Sequence, residues 1–257
     1  MIQLERSRVR AGLFAVATLA LAFAPSQGFA QGRGGGAPAT PKTQAPLDLS
    51  GYWVSVVTQN WRLRMVLPPK GEYMGIPMTK ASQDAADAWD LAKDEAAGNQ
   101  CKGYGAPIVM TNPERLHITW PDDNTLQMEI DSGTQTRTFH FGNWKPEAGS
   151  KPSLQGESTA RWVSRERGGR NPQTNYLVVT TRNLLPGYLR KNGVPYSEGT
   201  TVTESYEFFQ ESDGMPWMII TTEVHDPKYL ERDFIISSQF RKERDGSKWD
   251  PSPCSFR

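Results

Sequence analysis

Most of the chain after residue 50 alternates between apolar and polar positions, and this period of two is typical of β-strands with one buried face. Turn-forming Asp, Asn, Gly and Pro residues separate many of the alternating segments. Ten strands are predicted, at residues 51–57, 61–66, 115–120, 126–130, 134–141, 158–163, 176–182, 201–210, 217–224 and 234–241. The predicted fold class is therefore mainly β.

Short connections between neighbouring segments indicate how these strands are arranged. Residues 121–124, 131–133 and 212–214 have the composition of tight turns, which predicts antiparallel hairpins. A long meander removes its exposed edges by closing on itself, so we expect a single antiparallel meander that closes into a calycin-like barrel. The Gly- and Pro-containing stretches 142–155 and 165–174 are predicted as loops at the barrel rim, where ligands enter such folds.

One segment has the three-and-four spacing of an amphipathic helix instead. Five apolar residues between positions 80 and 97 follow this spacing: Ala85, Ala88, Trp89, Ala92 and Ala96. Thr79 is suited to cap the start of the helix, and Gly98 is suited to end it. The pattern predicts a single helix near 80–97, inserted between the early strands.

The N-terminal segment has the features of a secretory signal. Three arginines precede an uncharged apolar run at residues 11–24, and small residues up to Ala30 form a cleavage motif. Residues 1–30 are predicted as a signal peptide, 31–45 as a flexible Gly- and Pro-rich leader, and 46–257 as a single β-barrel domain. An uncleaved N-terminal anchor is the alternative. A cleaved signal predicts a periplasmic or secreted protein without stable membrane insertion.

Composition and charge narrow the class of partner. The 29 Lys and Arg residues nearly balance the 28 Asp and Glu residues, so the formal net charge is +1. A protein with this balance has no overall field that draws it to nucleic acid. We expect no nucleic-acid partner and no cofactor, and the composition leaves the oligomeric state open.

The chain contains two cysteines, Cys101 and Cys254, which lie far apart in the sequence. In an oxidising compartment a lone pair of cysteines usually forms a disulfide. A reactive thiol is the alternative, but neither cysteine has a His nearby in sequence that would lower its pKa. The prediction is a disulfide that joins the C-terminal tail to the loop after the predicted helix.

The first predicted strand resembles the opening of lipocalin-like calycins through the segment Leu47-Asp48-Leu49-Ser50-Gly51-Tyr52-Trp53. In those proteins a Gly-x-Trp sequence enters the first barrel strand. The resemblance implies that the Trp53 indole closes the barrel floor and that a later basic residue covers it. Arg241, near the end of the last predicted strand, is the candidate for that basic residue.

A wider resemblance extends over nearly the whole predicted domain. Five segments resemble a group of exported bacterial β-rich proteins: Gln100-Cys101-Lys102-Gly103-Tyr104-Gly105, Arg115-Leu116-His117-Ile118-Thr119-Trp120, Gly133-Thr134-Gln135-Thr136-Arg137, Gly187-Tyr188-Leu189-Arg190-Lys191-Asn192-Gly193-Val194-Pro195-Tyr196-Ser197 and Ser247-Lys248-Trp249-Asp250-Pro251. This resemblance implies export and a single β-rich domain. It implies no particular activity.

Three histidines are the first candidates for chemistry. His117, His140 and His225 each lie within or just after a predicted strand. Three converging imidazoles would bind Zn²⁺, Cu²⁺ or Fe²⁺, but the spacing contains no local ligand pair, and no metal site is predicted. Scattered, hydrogen-bonded histidines are one interpretation, and a single His that acts as a general base or acid is the other.

Arginines on strands are the second candidates. Arg62 and Arg64 alternate with apolar residues in the predicted strand 61–66, so both are expected on one face. A buried Arg137 would require a carboxylate partner. Four acids on predicted strands are available for that role: Glu129, Glu204, Glu207 and Glu223. Such a cluster inside the barrel would bind a carboxylate, phenolate or carbonyl, whereas an outer wall of paired charges is the alternative.

The segment 187–197 is the third candidate. Its two tyrosines, Tyr188 and Tyr196, flank two cations and an Asn-Gly turn signal. Phenols beside cations stabilise an oxyanion or enolate in a lyase or isomerase. The alternative is a hairpin tip whose tyrosines cover an apolar edge.

Two functional hypotheses follow from these patterns. The first is an exported barrel that binds a small, largely apolar or aromatic molecule in its interior, because aromatic residues are abundant on the predicted strands. Its expected ligand-binding residues are Arg62, Arg64, Trp120, Trp162 and Arg190. The second is a lyase or isomerase without an organic cofactor that acts on such a molecule. Its expected catalytic residues are a base, His117 or His140, and the charge stabilisers Arg137, Tyr104 and Tyr188.

The absence of common catalytic motifs from the sequence limits the enzyme classes that are expected. The sequence contains no Gly-x-Ser-x-Gly elbow, no His-Glu-x-x-His, no phosphate-binding loop and no Cys-x-x-Cys pair. Standard serine hydrolases, zincins, kinases and thioredoxin-like enzymes are therefore disfavoured. A third hypothesis, a structural protein of the cell envelope, predicts no enclosed cavity.

Overall fold

The computed structural model describes residues 39–165 and 174–256. The predicted signal peptide lies outside the described residues, as do most of the predicted leader and most of the loop 165–174. The helices in the described ranges are α1 (Trp61–Met65), α2 (Lys80–Ala88) and α3 (Leu91–Ala96), with two 3₁₀ helices at Gln100–Tyr104 and Val109–Thr111. The strands are β1 (Gly51–Val56), β2 (Arg115–Asp122), β3 (Thr125–Ile130), β4 (Gln135–Phe141), β5 (Glu157–Arg165), β6 (Thr174–Arg182), β7 (Gly187–Arg190), β8 (Val194–Tyr196), β9 (Thr201–Gln210), β10 (Pro216–His225) and β11 (Phe234–Lys242). Among the described helices, none has the length and apolar character needed to span a membrane.

Nine of the strands form a closed barrel in the order β1-β11-β10-β9-β6-β5-β4-β3-β2. Closure depends on β1, which pairs with β2 on one side and with β11 on the other. Trp53 accordingly lies opposite both Leu116 and Lys242. The predicted mainly β fold and the closed barrel are confirmed, and nine of the ten predicted strands are barrel strands.

The barrel departs from a simple antiparallel meander in two places. β4 and β5 pair in parallel, with Phe139 opposite Ser158 and Phe141 opposite Ala160. The connection 142–156 must therefore return along the barrel before β5 begins, which accounts for its length. In addition, β6 pairs with β9, because β7 and β8 leave the wall and form a separate two-stranded sheet.

The predicted strand 61–66 forms the helix α1 instead. Asn60 precedes this helix in the left-handed conformation, with a φ of 51°. The barrel offers no free edge to a further strand, because β1 already pairs on both sides. Trp61 and Met65 remain 65% and 57% exposed, so the alternating apolar residues of this segment have no common buried face. Alternation predicts a strand only where a sheet can accept one.

The predicted helix 80–97 is divided into α2 and α3. The Thr79 side chain caps α2 as expected, since it accepts a hydrogen bond from the Ser82 N–H. The backbone becomes extended at Trp89, and the Asp90 carboxylate then accepts hydrogen bonds from two backbone N–H groups at the start of α3. Because Asp is a strong N-cap residue, it begins a second helix within the apolar pattern.

The centre of the barrel is a packed core. Interior side chains at this level are 1% exposed or less: Trp53, Leu116, Ile118, Leu126, Met128, Ile130, Phe139, Leu177, Val179, Tyr206, Met218, Ile220 and Phe240. A void that admits water would leave exposed surface on the side chains around it. The barrel centre therefore has no room for a guest molecule, and the expected interior binding space is not found there.

One ion pair is enclosed in this core. The Arg137 guanidinium donates two hydrogen bonds to the Glu204 carboxylate, at 2.8 and 2.6 Å, and one to Thr181 Oγ1 at 3.3 Å. The side chains of Arg137 and Glu204 are fully buried. Glu204 is one of the four acids that the sequence offered as a partner. Since it occupies the guanidinium, Arg137 belongs to the core and is not free to bind a ligand.

One end of the barrel, which we call the aromatic end, contains a cluster of rings. Four aromatic side chains contact one another there at centroid distances of 5.6–6.1 Å: Trp120, Phe141, Trp162 and Phe208. Residues 40–47 cross this end. The Trp162 indole donates to the Pro41 carbonyl at 2.7 Å, and Leu47 packs against the core. The chain itself thus covers the aromatic end.

The opposite end, which we call the capped end, is where β2 begins, β3 ends and β11 begins. The helices and the β7–β8 hairpin pack there over a second buried apolar cluster. Its members are Ile76, Met78, Ala86, Ala106, Ile108, Leu184, Leu189, Val194, Tyr196, Val202, Val224, Leu230 and Phe234. The predicted disulfide between Cys101 and Cys254 is present, and it anchors the C-terminal segment to this end.

The first strand buries Trp53 and places a basic side chain over its ring. Trp53 is fully buried, and its indole donates to the Leu49 carbonyl at 2.9 Å. A basic side chain lies over the ring, but it belongs to Lys242, whose Nζ is 5.7 Å from the ring centroid. Arg241, the expected residue, is exposed on the other face of β11, because successive residues of a strand point to opposite faces.

The variant Glu204→Gln is expected to destabilise the protein by about 3–5 kcal/mol, because it leaves the buried Arg137 charge without a counter-ion. The double variant Arg137→Met/Glu204→Leu removes both charges and should recover much of this loss. Urea unfolding monitored by tryptophan fluorescence measures both effects. Asp84→Asn, which breaks the exposed pair with Lys80, is the control and should have a far smaller effect. Equal losses in the single and double variants would contradict this account of the core.

Candidate functional site

The capped end contains a cavity of about 620 Å³. Six parts of the fold line it: α1 with the loop that follows, the two 3₁₀ helices, the turn between β3 and β4, the β7–β8 hairpin, the start of β11 and residues 252–256. These parts come from distant places in the sequence and meet only because the barrel brings them to one end. Small-molecule sites in proteins commonly occupy about 300–1,000 Å³, so the cavity is large enough for such a ligand.

One part of the cavity wall is apolar. Its side chains are Leu63, Met65, Val66, Leu67, Met74, Ile108, Leu189, Phe234, Ile235, Ile236 and Phe256. Four of these are more than half exposed: Met65, Val66, Met74 and Ile235. We call these four residues the apolar rim. Single exposed apolar residues are common on protein surfaces, but a group of them around one cavity is typical of a binding site.

The other part of the wall is polar and carries three cations, Arg64, Arg190 and Lys191. No Asp or Glu is among the described residues that line the cavity. Arg190 donates to two backbone carbonyl oxygens, both at 3.0 Å. Lys191 donates to the Tyr104 hydroxyl at 2.7 Å. Because none of these acceptors is a carboxylate, the wall has a positive charge.

Arg64 is held only in part by the protein. Its Nε donates to the Thr111 carbonyl at 2.7 Å, whereas Nη1 and Nη2 are buried and make no hydrogen bond to the described residues. The Nδ2 of Asn112, in the same wall, is also a buried donor without an acceptor. Burial lowers the pKa of Arg64, and the nearby Glu114 opposes this effect. Each unpaired buried donor costs about 1–3 kcal/mol, so this part of the wall is unfavourable as it stands.

Glu114 is close to both the cavity wall and the barrel core. It is 4% exposed, and neither carboxylate oxygen accepts a hydrogen bond from the described residues. Burial raises the pKa of Glu114 well above its ordinary value, and the negative charge of Asp131 adds to the rise. Three cations oppose it: Arg64, Arg137 and Lys191. Burial thus favours the protonated form of Glu114.

Tyr104 fixes the C-terminal segment against the cavity wall. Its hydroxyl donates to the Ser255 carbonyl at 3.1 Å and accepts hydrogen bonds from the Ser255 N–H and from Lys191. Its ring packs directly on Gly133, where an added Cβ would lie 2.4 Å from a ring carbon. Burial opposes ionisation of the phenol, but the hydrogen bonds from Lys191 and Ser255 outweigh burial and lower the pKa of Tyr104.

The disulfide gives the C-terminal segment a second attachment. Cys254 is bonded to Cys101, three residues before Tyr104. On the N-terminal side of Cys254, the Ser252 N–H donates to the Asp131 carbonyl at 2.9 Å. On the other side, Phe256 is 1% exposed and contacts Trp89 at a centroid distance of 5.9 Å. Covalent, polar and apolar contacts together make residues 252–256 a fixed wall of the cavity.

The structure brings three of the predicted site residues together. Arg64, Arg190 and Tyr104 all line the cavity. Arg62 does not join them, because it is exposed and pairs with Glu72. The predicted strand would have placed Arg62 and Arg64 on one face, but in a helix residues two positions apart point in different directions.

Tyr188 lies beside this cavity and does not line it. Its hydroxyl donates to the Asp94 carboxylate, and it lines a smaller cavity of about 210 Å³ together with Tyr196. Burial raises the pKa of Tyr188, and the interaction with Asp94 raises it further. The phenol is therefore protonated at neutral pH, and its proton is directed at Asp94.

The histidines occupy separate places on the outer face of the barrel. His117 stacks on Tyr52 with ring centroids 4.4 Å apart, and its Nδ1 is 2.7 Å from Glu129 Oε2. His140 stacks on Trp144 with centroids 4.1 Å apart. Burial lowers the pKa of His140. Each ring thus has its own partners, and neither lines the cavity at the capped end.

The third histidine is also separate. His225 is exposed, and its Nδ1 is 2.7 Å from Asp233 Oδ1. The three histidines do not converge. Within residues 39–165 and 174–256, no three or more His, Cys, Asp or Glu side chains are grouped so that they could hold a metal ion.

The remaining predicted site residues lie elsewhere in the barrel. Arg137 is enclosed in the core by Glu204. Trp120 and Trp162 belong to the aromatic end, at the opposite end of the barrel from the cavity. The ligand-binding residues predicted from the sequence are therefore divided between two distant places.

Several residues of the cavity wall are not singled out by the sequence. Asn112 and Phe256 lie in irregular segments, which have no period that shows where a side chain points. Lys191 is visible in the sequence beside the tyrosines of segment 187–197, but only the fold brings it to Tyr104. One signal is present: the apolar run Met65-Val66-Leu67, immediately before two prolines, contributes both the rim and the wall.

Comparisons with known proteins do not supply a relative: no protein-family model, no curated protein and no solved structure matches this chain. The functional argument therefore depends on the geometry and chemistry of the cavity. The resemblances noted in the sequence remain resemblances of pattern.

The variant Glu114→Gln is expected to change how stability depends on pH. Because folding raises the pKa of Glu114, the folded chain keeps a proton that the unfolded chain releases above its ordinary pKa of 4.5. The wild-type protein should lose stability relative to the variant as pH rises above that value. The expected slope is about 1.4 kcal/mol per pH unit, until the pKa of the folded state is reached.

Urea unfolding of both proteins between pH 4 and pH 8 measures this difference directly. Glu147→Gln, on an exposed loop, is the matched control. A difference in stability between wild type and Glu114→Gln that stays constant across this range would contradict a raised pKa for the buried Glu114.

Proposed function

We propose that this protein binds a small, largely apolar molecule in the cavity at the capped end of the barrel. The observation that carries the proposal is a space of about 620 Å³ bordered by the apolar rim. Small-molecule sites combine concave apolar surface with a few polar groups that orient the ligand. Here Arg64, Lys191 and Asn112 are such polar groups, and the rim is the apolar surface.

Binding would remove apolar surface from water. The four side chains of the apolar rim are 57–72% exposed. Covering about 100 Å² of apolar surface contributes roughly 2.5 kcal/mol to binding. Two of the four are methionines, Met65 and Met74, whose flexible side chains adapt to ligands of different shape.

The proposal places the ligand neither in the barrel interior nor at the aromatic end. The interior is filled by core side chains and by the Arg137–Glu204 pair. At the aromatic end, residues 40–47 already contact Trp162 and the core. The capped end is the place where apolar surface is both concave and exposed.

We further propose that binding takes place outside the cytoplasm, in the periplasm or after secretion. The basic and apolar pattern of residues 1–30 supports export. The disulfide between Cys101 and Cys254 supports an oxidising compartment, because such bonds persist there and are rare in the cytosol. The proposed partner is then a small hydrophobic or aromatic compound of that compartment.

Binding accounts for the geometry better than catalysis by a lyase or isomerase. His117 and His140, the two candidates for a catalytic base, lie on the outer face of the barrel. Of the proposed charge stabilisers, Tyr104 lines the cavity, but its hydroxyl is engaged by Ser255 and Lys191. The cavity therefore lacks the base that the enzyme hypothesis requires.

Two neutral probes, decan-1-ol and 1-naphthol, test the proposed function. At least one of them is expected to raise the melting temperature of the wild-type protein, because a ligand that binds only the folded state stabilises that state. Leu63→Trp enlarges a side chain of the cavity wall and should weaken binding by about tenfold, as measured by isothermal titration calorimetry.

Leu185→Trp is the matched control, because Leu185 is exposed and is not part of the cavity wall. This variant should bind the probes as the wild-type protein does. The proposed function is wrong if neither probe binds, or if both Trp variants bind as tightly as the wild type.

A further inference from the structure

We propose that the ligand of this cavity carries a single carboxylate, bound by the Arg64 guanidinium, and that its apolar chain lies against the apolar rim. The inference rests on the proposed function and adds the chemical class of the ligand. That class is the monoanionic amphiphile, of which a medium-chain carboxylic acid is an example.

The described wall of the cavity is positively charged. Arg64, Arg190 and Lys191 line the cavity, and no acidic side chain lines it within the described part of the chain. The ion pairs found within 4.0 Å among the described residues include none of these three cations. A partly buried wall with three cations that form no ion pair favours a negatively charged ligand.

The wall also contains a set of unpaired hydrogen-bond donors. Nη1 and Nη2 of Arg64 and Nδ2 of Asn112 are buried atoms that donate to no described residue. All three are donors, so an acceptor group of a ligand would satisfy them and a donor group would not. A carboxylate fits best, because its two oxygens match the two Nη groups of a guanidinium in a bidentate pair.

Glu114 is the acid that acts electrostatically on Arg64. Its oxygens make no hydrogen bond with the Arg64 guanidinium or with any other described group. Glu114 therefore forms no hydrogen-bonded ion pair with Arg64, in contrast to Glu204, which forms one with Arg137 in the core.

The hydrogen bonds of the other two cations leave Arg64 as the group that binds the ligand carboxylate. The two Nη groups of Arg190 each donate to a backbone carbonyl, and Lys191 donates to Tyr104. Of the three cations, Arg64 is the one whose terminal nitrogens have no acceptor among the described residues. The two oxygens of a single carboxylate match the two Nη groups of one guanidinium.

The terminal nitrogens of Arg64 have no acceptor that fixes their position, although Nε is held by the Thr111 carbonyl. Because Nη1 and Nη2 are buried in this structure, the proposal requires the side chain to change rotamer so that these nitrogens face the ligand. The exposed Met65, Met74 and Ile235 then cover the apolar chain.

Decanoate and decan-1-ol test the inference, because they have the same chain and differ in the head group. Isothermal titration calorimetry near pH 7.5 is expected to show that the wild-type protein binds decanoate at least about tenfold more tightly than decan-1-ol. Arg64→Gln should weaken decanoate binding by roughly 10- to 100-fold, the range expected for hydrogen bonds to a charged group, and should leave decan-1-ol binding within about twofold.

Arg62→Gln is the matched control, since Arg62 is the exposed arginine of the same helix and pairs with Glu72. It should leave the affinity for both probes unchanged. Arg64→Lys keeps the charge but loses the bidentate geometry, so its affinity for decanoate should lie between those of wild type and Arg64→Gln. If Arg64→Gln does not fold, Asn112→Asp provides the test, because a negative charge beside Arg64 should weaken decanoate binding selectively.

The experiments distinguish failure of the carboxylate inference from failure of the proposed function. If decan-1-ol binds the wild-type protein as tightly as decanoate does, the proposed function stands and the carboxylate inference is wrong. The inference is also wrong if the Arg64 or Asn112 variants weaken the binding of both probes equally. If neither decan-1-ol nor 1-naphthol binds, the proposed function itself is wrong, whether or not decanoate binds.

Discussion

Closure of the barrel through β1 is the constraint on which the rest of the structure depends. Because β1 pairs with both β2 and β11, the sheet keeps no free edge. The segment 57–114 therefore cannot extend the sheet, and it forms short helices that pack over the capped end. The β7–β8 hairpin, which leaves the wall between β6 and β9, packs there too. The cavity is the space that remains where these segments meet residues 252–256.

The protein treats Arg137 and Arg64 in opposite ways. Arg137, in the barrel core, donates two hydrogen bonds to Glu204, so its charge is compensated within the fold. Arg64, in the cavity wall, has two buried terminal nitrogens without an acceptor among the described residues. An uncompensated buried charge is unfavourable, and proteins tolerate such costs mainly at sites of function. This contrast is why the cavity, and not the core, is the place to expect a ligand.

Particular residues show why some predictions from sequence succeed. Leu126, Met128 and Ile130 of β3 are buried while their neighbours are partly exposed, so the alternation in sequence reflects one face in the core and one outside. Trp61 and Met65 belong to a similar alternation, yet the closed barrel offers them no sheet to join. From the sequence, only single residues of the candidate site could be predicted. Most of its wall comes from segments without a regular period, so the sequence does not show which side chains face one another.

The sequence by itself determined the nine barrel strands, the mainly β class and the disulfide, because these depend on local periodicity and on the presence of only two cysteines. Tertiary structure decided which end of the barrel has a cavity and which residues line it. It also decided that Lys242 and not Arg241 covers Trp53, and that Glu204 pairs with Arg137. The physical reason is that such contacts join residues far apart in the chain. Their positions depend on how all the strands close together.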